Sequence, residues 1–403
     1  MNKPRVLVCG AVMAYSGYSE HARTLLRALR TIEDKIDLYL LPYRWSSNSD
    51  TYNHTDEVAW FNILASKFNP EQLGHFDISI QIGVPVEWKP YARYNIGVTA
   101  GIEATTVPVE WIPQLNAMNK IITISRFSKQ GMLNTKQDDK KITVPIDVVE
   151  YPVKQLKDVK LPLNFSTSFN FVHVGQWAPR KNLENMIRWF VEEFKNDEKV
   201  GLILKLQSKS NSTPDKYECR RRLFDLLNKY KDRKCKVYFV HGDMTDQEIH
   251  GLLLNGDAYL SASHGEGWAL SLFEAAYTGI PVIAPDFSGY KEYLYADKRD
   301  KNGKFKLRAF FQKVNYELKA IDQQHYQPGL IHPGMFWAYP MEGDFKRCMR
   351  EVYKDYGRFK TQAKDLKVWV EEKFSPEIIN EKFIASIFEK FDLNTKEQII
   401  EVE

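Results

Sequence analysis

The sequence predicts an α/β protein of two domains, on three observations. A chain of 403 residues exceeds what one hydrophobic core usually organises, so two domains of ordinary size are expected. Short continuous apolar runs, Val6 to Gly10 and Phe169 to Gly175 among them, each lead through a loop into a helical stretch, as strands buried on both faces do. Between those units, from Val148 to about Ser168, the composition shifts to Pro152, Lys154, Lys157, Lys160, Pro162 and a polar Asn164-Phe-Ser-Thr-Ser stretch, which marks a linker.

Composition narrows the functional classes. Hydrophobic residues at 43% and charged residues at 27% describe a soluble globular protein. A net charge of +4, from 56 basic against 52 acidic residues, demands no nucleic-acid or membrane partner, so partners must be read from local patches. Cys9, Cys219, Cys235 and Cys348 have no paired-ligand spacing, which argues against a zinc site and a disulfide framework and fits a reducing cytoplasm. The apolar run after Met-Asn-Lys-Pro-Arg is too short for a signal peptide, and no stretch is long enough to span a bilayer.

In the first half, the strand ending at Gly10 is followed by a loop with Ser16-Gly17-Tyr18-Ser19 and a helix from about Glu20 to Arg30. This loop lacks the dinucleotide-binding spacing, so no NAD site is expected. Ala22, Leu25, Leu26 and Leu29 form the helix's inner face; Arg23, Arg27 and Arg30 form a basic stripe that either grips phosphates or is a solvated face. Strands are expected at Ile36 to Leu41, Phe76 to Ile82 and Ile96 to Thr99, with exposed aromatics in the Tyr43-Arg44-Trp45 loop. Trp88, Tyr91 and Tyr94 beside Lys89 and Arg93 suit either stacking on bases or sugars or core packing. The loop Ala100-Gly101-Ile102-Glu103 lies at the carboxyl end of a strand, where open parallel sheets place ligands. Glu103 there is either an acceptor or base for a substrate hydroxyl, or a cap of the next segment. Arg126, after Lys120-Ile-Ile-Thr-Ile-Ser, is a candidate phosphate contact or a surface salt-bridge partner.

In the second half, Gln176-Trp-Ala-Pro-Arg180-Lys181 puts a basic pair in the loop after a strand, able to neutralise a diphosphate. Val200 to Gln207 and Lys236 to Val240 read as strands, the latter leading to His241-Gly-Asp-Met. The stretch from His264 to Gly289 reads as loop, helix, tight turn, strand and loop. Gly265 and Gly267 precede the apolar helix Leu270, Leu272, Phe273, Ala275, Ala276; Gly279 stops it; Pro281-Val-Ile-Ala is a buried strand. A glycine-rich helix start offers free amides and a positive dipole end to an anion such as phosphate. Glu266 and Glu274 would be repelled by that anion and are expected to accept hydrogen bonds from sugar hydroxyls. Helices are expected from about Gly343 to Tyr356 and Tyr356 to Lys373, with Ser375 and Pro376 starting a last one.

Two glutamates separated by seven residues around a glycine-rich helix start, with Gly279-Ile-Pro-Val-Ile and Gly289-Tyr-Lys-Glu292 behind them, resemble the signature of retaining glycosyltransferases of family 4. The resemblance covers most of residues 169 to 392 and, more loosely, residues 1 to 150. It implies the GT-B fold: two Rossmann-like domains with parallel sheets facing a central cleft. The implied divisions are an acceptor-binding domain over 1–160, a nucleotide-sugar-binding domain over 169–374, and a C-terminal helix, 375–403, crossing back to the first. It implies transfer of a sugar from a nucleotide diphosphate donor, a UDP-sugar foremost, with retention and with no metal or other cofactor required. Carried over residue by residue, it places Glu266 near the donor sugar, Glu274 on the ribose, and the amides of Gly267, Trp268, Ala269 and Leu270 on the diphosphate beside Arg180 and Lys181. His241 lies where the base is contacted, and Gly17, Tyr18 and Gly175 face the cleft. Departures are Gln176 where many members have arginine, and Gly101 with Glu103 where many have a histidine.

The Tyr-Ser-Gly-Tyr-Ser-Glu-His loop and Gly101-Ile-Glu-Ala-Thr-Thr look like those of transferases of large tailed phages, some of which glycosylate hydroxymethylated DNA bases. That implies duplex DNA as acceptor and a host cytoplasm, with Arg23, Arg27, Arg30, Lys89, Arg93 and the segment Lys298 to Arg308 as its basic groove. A transferase of cell-surface polysaccharide or glycolipid is the alternative, and an inert nucleotide-sugar binder or a GT-B epimerase is the rival from another class.

Overall fold

The structure, a computed structural model, describes residues 3–44, 52–299, 304–391 and 393. The loop residue Trp45 and residues 300–303 of the lysine-rich segment lie outside the described residues.

The first half of the chain builds one six-stranded sheet. Its elements run β1 (Arg5–Gly10), α1 (Gly17–Arg30), β2 (Asp37–Pro42), α2 (Thr55–Ser66), β3 (Phe76–Ile82), β4 (Ala92–Thr99), α3 (Trp111–Asn116), β5 (Lys120–Thr123), α4 (Arg126–Asn134), a small hairpin of β6 (Lys136–Gln137) and β7 (Lys140–Lys141), and β8 (Ile146–Val148). The order is β2-β1-β3-β4-β5-β8, every pair parallel. Helix α1 begins three residues earlier than the sequence suggests, because Ser16 caps it: its Oγ accepts the amide of Ser19 at 3.1 Å. Ala22, Leu25, Leu26 and Leu29 are fully buried, as their spacing predicts. Trp88 and Tyr94 are core residues, which removes them from any stacking surface.

Two of the three arginines of the α1 stripe are held by internal ion pairs, and Arg30 is exposed. Arg23 is 2% exposed and donates to the carbonyls of Val12 and Ala14 and to Glu20; Arg27 pairs with Glu57 at 2.6 Å and with Glu20 at 3.1 Å. Carboxylates on the same helix and on α2, invisible to a one-face reading, absorb both charges. Arg30 lies over the ring of Trp60.

The second sheet is built from β9 (Phe169–Gln176), β10 (Val200–Gln207), β11 (Lys236–Val240), β12 (Ala258–Leu260), β13 (Val282–Pro285) and β16 (Gln312–Val314), in the order β11-β10-β9-β12-β13-β16 and again all parallel. Between and around these strands come α5 (Leu183–Phe194), α6 (Thr213–Leu227), α7 (Asp246–Asn255), α8 (Leu270–Thr278) and α9 (Lys291–Leu294). The hairpin β14 (Tyr295–Arg299) with β15 (Phe305–Ala309) carries the lysine-rich segment, and β17 (Tyr316–Ala320) pairs with β18 (Phe336–Pro340). Three helices close the chain: α10 (Glu342–Lys354), α11 (Tyr356–Lys373) and α12 (Pro376–Phe388).

Two parts of the second half return to the first. Helix α12 packs on α1, and the buried Lys120 of β5 reaches the carbonyl of Ser386 at 3.0 Å and Glu389 at 2.7 Å. The arm 315–341 joins Ile321, Met335 and Trp337 to a cluster with Ile102, Trp111 and Leu115 of the first half. Trp111 Nε1 donates to the carbonyl of Gly329, and the backbone of Phe336 exchanges hydrogen bonds with Thr105.

Two outcomes follow from this packing. A Cβ on Gly289 would run into the carbonyl oxygen of Gly267, whereas one on Gly17 meets nothing within 4 Å. Gly289→Ala should therefore cost about 3 kcal/mol in denaturant unfolding, and Gly17→Ala should stay within about 0.5 kcal/mol. His21, on α1 and against Tyr151 and Phe383, is 1% exposed with neither ring nitrogen bonded, and burial pushes its pKa down to about 3. The unfolded chain binds this proton near pH 6.5 and the fold refuses it, so stability is intact above that pH and falls as acid is added toward pH 3. Unfolding followed from pH 7 to pH 4 should show a shallower loss in His21→Phe than in the parent.

Candidate active site

The candidate site lies where the carboxyl ends of the two sheets meet. From the second sheet, the strand end of β9 passes into a turn, Pro179–Lys181, that ends on Asn182 in the left-handed conformation (φ 53°). That turn is tied to the loop after β12: the carbonyl of Arg180 accepts from the amide of His264 at 2.8 Å and from Ser263 Oγ at 3.2 Å. Fixed in this way, the side chains of Arg180 and Lys181 converge on Glu266. Arg180 Nη1 is 2.8 Å from Glu266 Oε2, and Lys181 Nζ is 2.7 Å from Oε1. Arg180 also donates to the carbonyl of Gly265 at 2.7 Å, and its Nη2 lies 3.0 Å from Glu103 of the first half. A Cβ on Gly265 would strike the carbonyl of Glu103, so glycine is what lets the two loops touch.

Glu266 is 4% exposed, and burial alone would keep it protonated; Arg180 and Lys181 overcome that penalty and hold it at about 2. Burial draws the ammonium of Lys181 below the ordinary lysine value while Glu266 opposes the shift. With the carboxyl held so low, the pair is ionised at neutral pH. Two cations thus face two carboxylates, Glu266 and Glu103, in a buried space, an arrangement that an incoming phosphate can enter by taking over the cations.

The N-terminus of α8 completes the site. Ala269 adopts a left-handed conformation (φ 66°) at the cap position, and no side chain caps the helix. Its first amides and dipole therefore remain available to an anion. Gly267 packs beside Ala100 and Ser128 of the first half. Trp268 contributes backbone only: its indole is 2% exposed and packs against Phe273, Tyr293 and Phe374.

Glu274 does not sit with Glu266. One turn into α8, it lines a separate cavity of about 280 Å³ with Glu20, Arg27, Tyr151, Lys154, Asp246, Leu270 and Phe273. Burial raises its pKa to about 7 against the pull of Lys154 at 3.6 Å. Burial raises the pKa of the Tyr259 and Tyr293 phenols, and both glutamates add to the rise.

The remaining predicted residues are placed as follows. Gly17 opens α1, and the phenol of Tyr18 meets Thr99 Oγ1 at 3.0 Å at the end of β4. Gly175 lies over His173, whose Nε2 would contact a Cβ there. His241 directs Nε2 at Asp215, 3.1 Å away, rather than into the cleft. Asp215, Cys219 and His241 form the group of metal-ligand type side chains found among the described residues, a gathering that the scattered cysteine spacing does not suggest. Asp215 also accepts the amides of Ser208 and Lys209, so it anchors that loop. Gln176, in place of arginine, donates to the carbonyl of Ser208. Arg126 is exposed and pairs with Glu292 at 3.5 Å. His264 donates Nδ1–H to the carbonyl of Ala338 and stacks on Trp337; burial lowers its pKa to about 4, so it is neutral. Sequence reasoning missed Lys154, Asp246 and Glu20, whose only signal was charge in segments that fold against α8.

Known proteins agree with this architecture. Residues 157–303 match the family described as Glycosyl transferases group 1. No curated protein sequence matches the chain. Among solved structures it is similar to HepE of Anabaena in complex with UDP-glucose, with a TM-score of 0.62 and 12% identity over 95% of this chain and 98% of that one. Sucrose-phosphate synthase from Thermosynechococcus elongatus gives 0.61 and 12% over 96% and 99%. S. aureus TarM in complex with Fondaparinux, alpha-GlcNAc-glycerol and UDP gives 0.52 and 17% over 81% of this chain, which spans 57% of that one. Among the described residues no helix is long and apolar enough to cross a membrane. Two parallel six-stranded sheets meeting at their carboxyl ends thus give this chain the GT-B fold, and residues 157–303 are similar to the glycosyl transferases group 1 family.

Proposed function

We propose that this chain is a retaining glycosyltransferase that moves a sugar from a UDP-sugar to an acceptor hydroxyl. The observation that carries the proposal is the convergence of Arg180 and Lys181 on the buried carboxylate of Glu266, a few residues before the uncapped start of α8. Such a point suits a diphosphate. In this reading the donor's diphosphate takes Arg180 and Lys181 from Glu266 and Glu103. Glu266 is then free to accept from the sugar hydroxyls, and Glu103 from the acceptor hydroxyl. Glu274, in its own cavity, takes the ribose.

Chemistry then needs no protein nucleophile. The acceptor oxygen attacks the anomeric carbon on the face from which the leaving group departs, the bond from that carbon to the β-phosphate oxygen breaks, and the acceptor proton passes to the departing diphosphate. Arg180, Lys181 and the helix amides stabilise the charge that develops there. HepE, bound to UDP-glucose, supports UDP as the nucleotide.

For the acceptor, the internal pairing of Arg23 and Arg27 removes two cations from the groove that duplex DNA would require. A glycan or glycolipid hydroxyl is the reading we favour.

The test is nucleotide release from UDP-, GDP- and ADP-sugars, with glycan acceptors or with duplex DNA containing 5-hydroxymethylcytosine, and the anomeric configuration of the product. UDP release that rises with a glycan, giving a retained anomer, is expected. A sugar mass on the DNA base would overturn the acceptor, and an isomerised free nucleotide sugar would replace transfer by epimerisation. Lys181→Met should lower kcat by about a hundredfold or more, and Glu274→Ala should mainly raise the donor KM. Unchanged kinetics in both would sink the site.

A further inference from the structure

Lys154 belongs to neither sheet. It lies on the segment joining the two halves, held from below by the amide of Val153 donating to the carbonyl of Phe374 at 2.8 Å. Its ammonium reaches one carboxylate on each of three helices: Asp246 of α7 at 2.9 Å, Glu274 of α8 at 3.6 Å and Glu20 of α1 at 3.9 Å. All four side chains line the same cavity, whose apolar wall is made by Leu270, Phe273 and Tyr277.

The charges in that cavity are not evenly covered. Glu20 is already neutralised by Arg23 and Arg27, at 2.9 and 3.1 Å. Asp246 is nearly half exposed and can be screened by water. Glu274 has a side chain only 16% exposed, and no cation but Lys154 is paired with it among the described residues. A carboxylate left alone there would take up a proton. As an acid it would hold both hydroxyls of a vicinal diol less strongly, because the charge that strengthens those bonds would be gone and one oxygen would carry hydrogen.

We propose that Lys154 is a positioning residue that keeps Glu274 ionised and aimed, so that the cavity selects a nucleotide with an intact ribose 2′,3′-diol. The proposal rests on the assignment of Glu274 to the donor's ribose. It adds that the selectivity comes from the connecting segment, and that ribose binding is felt through Glu20 by the first sheet's helix α1. Burial raises the Glu274 carboxyl to about 7 against the pull of Lys154, so its ionised form prevails only above neutral pH and depends there on this cation.

The experiment compares binding of UDP, GDP and ADP with that of their 2′,3′-dideoxy counterparts, by calorimetry on the full chain at about pH 8, above the Glu274 value. The parent should prefer the natural form of its nucleotide by about tenfold or more. Lys154→Met should erase that preference while leaving the dideoxy affinity within about twofold, and Lys154→Arg should keep it. Should Lys154→Met not fold, Lys154→Gln is read in the same way. Equal loss for both nucleotide forms would mean a packing role only and would overturn the proposal, as would a preference left intact. Glu274→Gln separates the two levels: if it erases the preference and Lys154→Met does not, the lysine's role alone falls. If Glu274→Gln leaves the preference untouched, the ribose assignment falls with it.

Discussion

The rest of this molecule depends on one cluster of four charges, Arg180, Lys181 and Glu103 gathered around the buried Glu266. Burying charge is costly, and a pair in a protein interior often contributes little net stability over apolar packing. In the proposed function, what the cluster provides is a preformed place for an anion. Its cations are oriented by backbone hydrogen bonds between the 179–181 turn and the loop after β12, and its carboxylates hold the space until a stronger anion arrives. Because Glu103 comes from one sheet and the other three residues from the second, the same cluster also fixes how the two carboxyl ends face each other.

Around this centre the chain ties its halves together three times. The connecting segment brings Lys154 into a cavity between helices of both halves, α12 crosses back to α1 and β5, and the arm 315–341 lies over Trp111. The arm bears on the reaction centre directly: the amide of Ala338 donates to the carbonyl of His264, two residues before Glu266, and Trp337 stacks on that histidine's ring. In the proposed function, a diphosphate entering the cleft competes for Arg180 with Glu103.

Much of this was legible in the sequence, and for local reasons. Buried parallel strands are continuous apolar runs, so Val200 to Gln207 and Lys236 to Val240 fall where their composition places them. Ser375 and Pro376 announce the start of α12 because capping is a matter of adjacent residues. Glu266, Glu274, Arg180 and Lys181 stand out by spacing from glycines. What stayed hidden depends on contacts far apart in the chain. The fate of Arg27 is decided by Glu57, thirty residues on, and the work of Lys154 by Asp246 and Glu274. The arm 315–341 carries aromatic residues whose partners, Ile102 and Trp111, lie some two hundred residues earlier, so no window of sequence could pair them.

The central claim is that the Arg180–Lys181–Glu266 cluster is a site for a diphosphate, and it is tested most directly by comparing the affinities of UDP and uridine for the unmodified protein. Charge-assisted hydrogen bonds to both cations and the start of α8 predict that UDP binds at least about a hundredfold more tightly, with the difference shrinking as salt is added. Equal affinities, insensitive to salt, would mean that the cluster is a structural ion pair and would contradict the account.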